Sequence, residues 1–333
     1  MKKNKIGIIG SGSWATAIVK IILEKAGQEV NWWVRNADVR SGLEADGRNP
    51  RHLPDLTLDK SRLHLSADLA EVVDASQQLY LVIPSAYLGD TLETLPLAAY
   101  RGKQFVSAIK GMLPRRKKTV SQYLEQTLGA DADDVCVVSG PSHAEEVAAE
   151  LPTFLTVASR SSALCNELEA DLRCRYIHTS HTTDIDGVEH CGLGKNIYAI
   201  AAGICQGLDY GDNLNAVLTT AALREMKGIT STVQPHIERD MNRPCYLGDL
   251  MVTCWSRHSR NRRLGELVAR GTTVADAFAA MGAVAEGYYS VLNLHELAAS
   301  MGLHAPIAEA VYRILYEQAD PRAEMEQLIA HVF

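Results

Sequence analysis

The sequence predicts an α/β fold: a doubly wound parallel sheet in the N-terminal part, followed by an all-α C-terminal domain. Three observations carry this. Short apolar runs alternate with helical patterns through the first half of the chain. A glycine turn joins the first of these runs to the first helical pattern. Past about residue 181 the strand-like runs give way to long alanine-rich helical patterns. The two domains are placed at residues 1–182 and 183–333, although no Pro/Gly/Ser-rich linker marks the junction.

The opening stretch, KIGIIGSGSWATAIVKIILEKAGQEVNWWVR at residues 5–35, reads as strand, turn, helix, strand. Ile6, Ile8 and Ile9 suit a buried parallel strand. Trp14, Ile18, Ile21 and Ile22 then recur at helical spacing, Gly27 is expected to close the helix, and residues 30–34 supply a second strand. The turn has the form G-x-G-x-x-A. Gly10 permits the tight bend, Gly12 lets a pyrophosphate approach the backbone, and Ala15 allows close helix–strand packing. Any tight strand-to-helix turn favours glycine, so the motif alone is weak. Its place after a strand and before a helix makes it a Rossmann-type dinucleotide signature, with free N–H groups at the helix start facing the phosphates.

Further buried-strand candidates are LYLVI (79–83), FVSAI (105–109), VCVV (135–138) and FLTVA (154–158), with helical patterns at 121–128 and 163–172 between them. After three of these runs come Pro84-Ser85, Lys110-Gly111 and Ser139-Gly140-Pro141-Ser142-His143. Ligands of open α/β sheets bind beyond the carboxyl ends of the strands, so these groups are expected on one rim with Gly10 and Gly12.

At 333 residues, with 47% hydrophobic and 22% charged residues, the chain is long enough for two domains with a sizeable core. A net charge of -7 argues against a nucleic-acid partner. Two basic runs, 115–118 and 260–263, read first as solvated surface. Seven cysteines without a C-x-x-C pair or metal-like spacing read as reduced core residues. The first apolar run is too short for a signal peptide and no stretch reaches the length of a membrane span, which gives the expectation of a cytoplasmic protein.

In the second domain, HCGLGKNIYAIAAGI at residues 190–204 is an apolar helix carrying one lysine. Lys195 follows Gly192 and Gly194, so it is expected near a helix N-terminus, where the macrodipole and burial would both lower its pKa. A lysine nearer neutrality can take a hydroxyl proton, as oxidation of an alcohol requires. The alternative is a lysine whose stem packs while its head reaches water.

These motifs together resemble the bacterial NAD(P)-dependent glycerol-3-phosphate dehydrogenase family over nearly the whole length. The blocks that carry the resemblance are GSGSWATA (10–17), IKG (109–111), SGPSHAEEVA (139–148), GLGKNIYAIAAGI (192–204), LGDL (247–250), SRNRRLG (259–265) and AEGY (285–288). The resemblance implies hydride transfer between NADPH or NADH and dihydroxyacetone phosphate, supplying glycerol phosphate for phospholipid synthesis. It makes Lys195 the catalytic base. It gives substrate binding to Lys110, Gly140, Ser142, Asn196, Asp249, Thr253, Ser259, Arg260 and Asn261. Cofactor contacts fall to Gly10, Gly12, Ser13, Trp14, Arg35, Lys110, Ala144, Arg260, Val284 and Glu286.

Chemistry supports parts of that assignment. A planar guanidinium such as Arg260, helped by neutral donors such as Asn261, suits a phosphate. Asp249 could equally be an N-cap before the apolar residues 250–252. Arg35 at the end of the second strand, where an NAD-specific site would place an acid, points to NADP, and the first acid, Asp38, lies farther along. The chain departs from the family pattern at Thr220-Ala221-Ala222-Leu223, where an arginine is common, and at Pro244-Cys245-Tyr246, where glycines are common. The partner is a small molecule, and a homodimer is compatible with the resemblance. Alternative readings are a related dehydrogenase of a β-hydroxyacid or sugar-acid phosphate, or a non-catalytic NADPH-sensing protein.

Overall fold

The computed structural model describes residues 5–114, 116–235, 237–282 and 284–332; Arg115 of the first basic run and the terminal Phe333 lie outside them. The chain divides into two compact units, one of Met1–Ile109 with Lys118–Ile185 and one of Lys110–Lys117 with Asp186–Phe333.

In the first unit the strands are β1 (Ile6–Ile9), β2 (Val30–Trp33), β3 (Leu63–Ser66), β4 (Gln78–Leu81), β5 (Gln104–Ser107), β6 (Val135–Ser139), β7 (Thr153–Ser159) and β8 (Ile177–Thr182). Among the described residues they form one sheet in the order β3-β2-β1-β4-β5-β6-β7-β8. The helices are α1 (Ser13–Leu23), α2 (Ala37–Asp46), α3 (Leu69–Ala75), α4 (Ser85–Leu92), α5 (Val120–Gln126), α6 (Ala144–Ala148) and α7 (Ser162–Leu172). From β3 to β6 all neighbours pair in parallel, and the order 3-2-1-4-5-6 is that of a dinucleotide-binding sheet whose order reverses beside β1. Ile18, Ile21 and Ile22 of α1 pack with Ile8, Trp32 and Tyr80 in one core, each fully buried apolar side chain contributing about 1.5–3 kcal/mol.

Three details differ from the sequence-based expectation. β3 (LHLS) and β8 (IHTSHT) lie at the two sheet edges and are largely exposed or half-buried, so they lack the apolar run that marks the inner strands. β7 pairs with β6 antiparallel, Val137 opposite Ala158. The helix between them, α6, has only five residues, about 7.5 Å of rise, too short to carry the chain back along the seven residues of β7. Gly27 does adopt a left-handed φ of 67°, but in the turn beyond α1, which already ends at Leu23.

The second unit carries α8 (Ile185–Gly207, beginning at the last residue of the first unit), α9 (Gly211–Val233), α10 (Asp249–Trp255), α11 (Arg260–Ala269), α12 (Val274–Met281), α13 (Glu286–Met301), α14 (Pro306–Tyr316) and α15 (Pro321–His331). α8 is central: Ile197, Tyr198, Ala199, Ile200, Ala201, Ala202 and Ile204 are all buried, so it is apolar on every side. Its Tyr198 hydroxyl donates to Glu225 (3.1 Å), whose carboxylate also accepts from the Ile307 and Ala308 N–H groups at the start of α14 (2.8 and 3.1 Å). α8 crosses α11 backbone to backbone. A Cβ at Gly203 would lie 1.9 Å from the Arg262 carbonyl oxygen, and one at Gly265 would lie 2.0 Å from that of Ile200. This approach brings Asn196 of α8 and Asn261 of α11 within hydrogen-bond reach. No helix among the described residues is long and apolar enough to cross a membrane.

Candidate active site

In the first unit the site is built around the β1–α1 turn. Gly10 has φ 127°, and a Cβ there would meet the Val82 carbonyl oxygen at 2.2 Å, so only glycine lets β1 turn this tightly over the end of β4. Gly12 is the N-cap of α1 and offers no side-chain cap, while a Cβ built on it meets nothing within 4 Å. The first-turn N–H groups, which have no intrahelical acceptors, thus open onto free space suited to an anion. Ser13 and Trp14 begin the helix, and the Trp14 indole nitrogen, buried, has no partner among the described residues. The turn fits a dinucleotide.

At the end of β2, Arg35 is exposed, its guanidinium 5.9 Å from the Trp33 ring centroid. Asn36 caps α2 by accepting from the Val39 N–H (3.1 Å), and Asp38 is paired with Arg51 at 2.5 Å. The first acid after β2 in the sequence is therefore already engaged by a cation. After β6, the Ser142 hydroxyl donates to the Gly140 carbonyl (2.9 Å), and Ala144 opens α6.

The second unit gathers Lys110, Lys195, Asn196, Asp249 and Asn261. The buried Asp249 carboxylate pairs closely with the Lys195 ammonium and lies 3.3 Å from Lys110 Nζ. Burial and the Lys110 cation push the Lys195 pKa down, against the pull of Asp249, to about 7. Burial would push the Asp249 carboxyl up, but the two lysines outweigh it and hold the group below its usual range. Lys195 lies midway along α8, away from the N-terminus, so the expected helix-dipole contribution is replaced by burial and the second lysine. Asp249 does not act as a side-chain N-cap: it is the first residue of α10, and Gly248 holds the cap position.

A second set of bonds fixes the carboxamides. Asn196 Nδ2 donates to the Lys110 main-chain carbonyl (3.0 Å), Asn261 Nδ2 donates to Asn196 Oδ1 (2.9 Å), and the Gly287 N–H donates to Asn261 Oδ1 (2.8 Å). This relay ties the segment after Ile109 to α8, α11 and α13. Asn261, expected as a phosphate donor, spends its oxygen and one N–H inside the relay. Sequence reasoning missed the Gly287 N–H and the Lys110 carbonyl, which are main-chain groups; their signals were the AEGY and IKG blocks that contain them.

The remaining residues of the second unit have local roles. The Thr253 hydroxyl donates to the Asp249 carbonyl (2.6 Å), and Ser259 caps α11 by accepting from the Arg262 N–H (3.3 Å). Arg260 is exposed at the start of α11, and Val284 is exposed before α13. Burial pushes the half-buried Glu286 carboxyl up, opposed by Arg260, Lys110 and Lys195.

Comparisons with known proteins agree with this arrangement. The model for the NAD-dependent glycerol-3-phosphate dehydrogenase N-terminus matches residues 5–165, and that for the C-terminus matches residues 184–326. A glycerol-3-phosphate dehydrogenase [NAD(P)+] of Syntrophotalea carbinolica is 36% identical over 325 residues, covering 97% of each chain. The crystal structure of glycerol-3-phosphate dehydrogenase from Coxiella burnetii superposes with a TM-score of 0.90 at 32% identity, covering 98% of this chain and 99% of that one. With family models spanning both parts of the chain and a relative this close over its whole length, the protein belongs to the NAD-dependent glycerol-3-phosphate dehydrogenase family.

Proposed function

We infer that the protein is an NAD(P)-dependent glycerol-3-phosphate dehydrogenase, interconverting dihydroxyacetone phosphate and sn-glycerol 3-phosphate. The observation that carries the mechanism is the buried Lys195–Asp249–Lys110 cluster. In the direction of reduction, the Lys195 ammonium donates its proton to the carbonyl oxygen as the hydride reaches the carbon. In oxidation, the neutral amine takes the hydroxyl proton. Asp249 positions the amine and makes its charged form tolerable in a buried site, while Lys110 pulls the balance back toward the neutral form. The nicotinamide, when bound, supplies or accepts the hydride. Gly10, Gly12, Ser13 and Trp14 would hold the dinucleotide with Arg35, Ala144, Val284 and Glu286, while Gly140, Ser142, Thr253, Ser259 and Arg260 would hold the substrate. A cytoplasmic homodimer feeding phospholipid synthesis is the setting consistent with the family.

The test is oxidation of NADPH and NADH, side by side, by dihydroxyacetone phosphate and by unphosphorylated 2-oxo and 3-oxo acids. Turnover of the phosphate ester alone supports the reading; turnover of an oxo acid in its place would move the protein to another dehydrogenase class. Arg260→Ala should weaken use of dihydroxyacetone phosphate by tenfold or more, on the order of one charge-assisted hydrogen bond, and scarcely change residual use of dihydroxyacetone. Equal losses for both compounds would show that Arg260 does not read the phosphate.

Arg35→Asp should lower kcat/KM for NADPH relative to NADH, because it removes a cation and adds a like charge where a 2′-phosphate would lie. Steady-state ratios for both cofactors check it. A wild type strongly preferring NADH, or an unchanged ratio in the variant, would count against Arg35.

A further inference from the structure

Three successive carbonyls of the β1–α1 turn are each held by a side-chain donor. The Gly10 oxygen accepts from the indole nitrogen of Trp32 (2.6 Å), the Ser11 oxygen from Asn49 Nδ2 (3.0 Å), and the Gly12 oxygen from the Thr16 hydroxyl (3.0 Å) beside the helical bond from the Thr16 N–H (3.0 Å). Asn49 Nδ2 also donates to the Thr16 hydroxyl (2.9 Å), orienting it toward Gly12. Asn49 Oδ1 accepts from the Arg51 and His52 N–H groups (3.2 and 3.1 Å), so the carboxamide is fully used. Trp32, Asn49 and Thr16 are all fully buried.

A trans peptide plane points its C=O and N–H in opposite directions. Pinning the oxygens of residues 10, 11 and 12 into the protein therefore turns the N–H groups of Ser11, Gly12 and Ser13 the other way. The open space in front of Gly12 lies at this turn. We propose that Trp32, Asn49 and Thr16 are positioning residues that preorganise the turn as a diphosphate nest by binding its carbonyls. Without Trp32 or Asn49 the Gly10 or Ser11 carbonyl could rotate toward the phosphates and repel them, and part of the binding free energy would go into reordering the loop, while the Thr16 hydroxyl adds to the helical bond that already holds the Gly12 oxygen. The inference rests on the dinucleotide reading of the turn and deepens it.

The test measures Kd for NADPH by its fluorescence on the full chain, for wild type, Trp32→Phe, Asn49→Asp and Asn49→Leu. Trp32→Phe keeps an aromatic ring, smaller than the indole, and loses one donor, and Val39→Ala gauges what a cavity alone does. Asn49→Asp keeps the acceptor for Arg51 and His52 but loses both donors. The expected rise in Kd is about fivefold for Trp32→Phe and tenfold or more for either Asn49 variant. The cofactor KM should rise in step, with kcat and the dihydroxyacetone phosphate KM within about twofold. Val39→Ala, a cavity in the buried face of α2, is the control: it should lower Tm and leave Kd alone. Unchanged Kd in folded Trp32→Phe and Asn49→Asp, or a Val39→Ala loss as large as theirs, would overturn the proposal. A wild type that binds neither NADPH nor NADH would instead refute the cofactor reading beneath it.

Discussion

Replacing Lys195 by alanine should reduce kcat for dihydroxyacetone phosphate reduction by roughly 10²–10⁴-fold, the usual contribution of a positioned acid–base group, with the Kd for NADPH nearly unchanged. The variant should also fold. Asp249 keeps Lys110 at 3.3 Å, so no buried charge is left alone, and removing one of two cations from a site with a single carboxylate relieves repulsion. Asp249→Ala has the opposite character: it leaves two lysines facing each other without a counter-charge and should cost both stability and activity. Single-turnover rates with saturating cofactor separate chemistry from binding. A folded Lys195→Ala enzyme within a few-fold of wild type would remove the lysine from the mechanism.

The largest stability effect is expected at Gly203. Alanine there puts a Cβ 1.9 Å from the Arg262 carbonyl oxygen, a backbone atom that cannot rotate away, so α8 and α11 must part. Overpacking of this kind costs about 3 kcal/mol or more, equivalent to a Tm lower by roughly 6–12 °C in a domain of this size. Activity should fall as well, because the same crossing holds Asn196 against Asn261. Gly228→Ala makes the contrast. That glycine is exposed within α9, its Cβ would meet nothing within 4 Å, and removing helical glycine should stabilise by about 0.5–1 kcal/mol. Calorimetry of the two variants checks both signs. Equal melting temperatures would show that the α8–α11 contact is looser than described.

Much of this was legible in the chain. β1, α1 and β2 announce themselves because the inner strands are apolar runs and the turn between them needs glycines at set positions. The edge strands β3 and β8 do not, since their largely exposed, polar sequences resemble loops. The antiparallel direction of β7 depends on how short α6 is and not on the composition of the strand. Lys195 was legible as a lone lysine in an apolar helix, but Gly192 and Gly194 suggested a helix start that α8 does not have. Each glycine costs a buried helix about 1 kcal/mol, which the packing of α8 on all sides exceeds. The partnership of Lys110 with Asp249 spans 139 positions of sequence, and no local pattern encodes it. Likewise the engagement of Asn261 by Asn196 and Gly287 follows from the helix crossing, visible only once α8, α11 and α13 are packed.

Whether Lys195 carries the proton in both directions is decided by kcat/KM from pH 5.5 to pH 9.5 for reduction and oxidation. Its lowered pKa of about 7 sets the sign of each profile. Reduction needs the ammonium, so it should be level at low pH and fall above the pKa. Oxidation needs the free amine, so it should rise with pH and level off above the same pKa. Both bends should fall near neutrality in wild type, and neither should appear in the residual activity of Lys195→Ala. A reduction rate level to pH 9.5, or bends that persist without the lysine, would contradict proton transfer by Lys195.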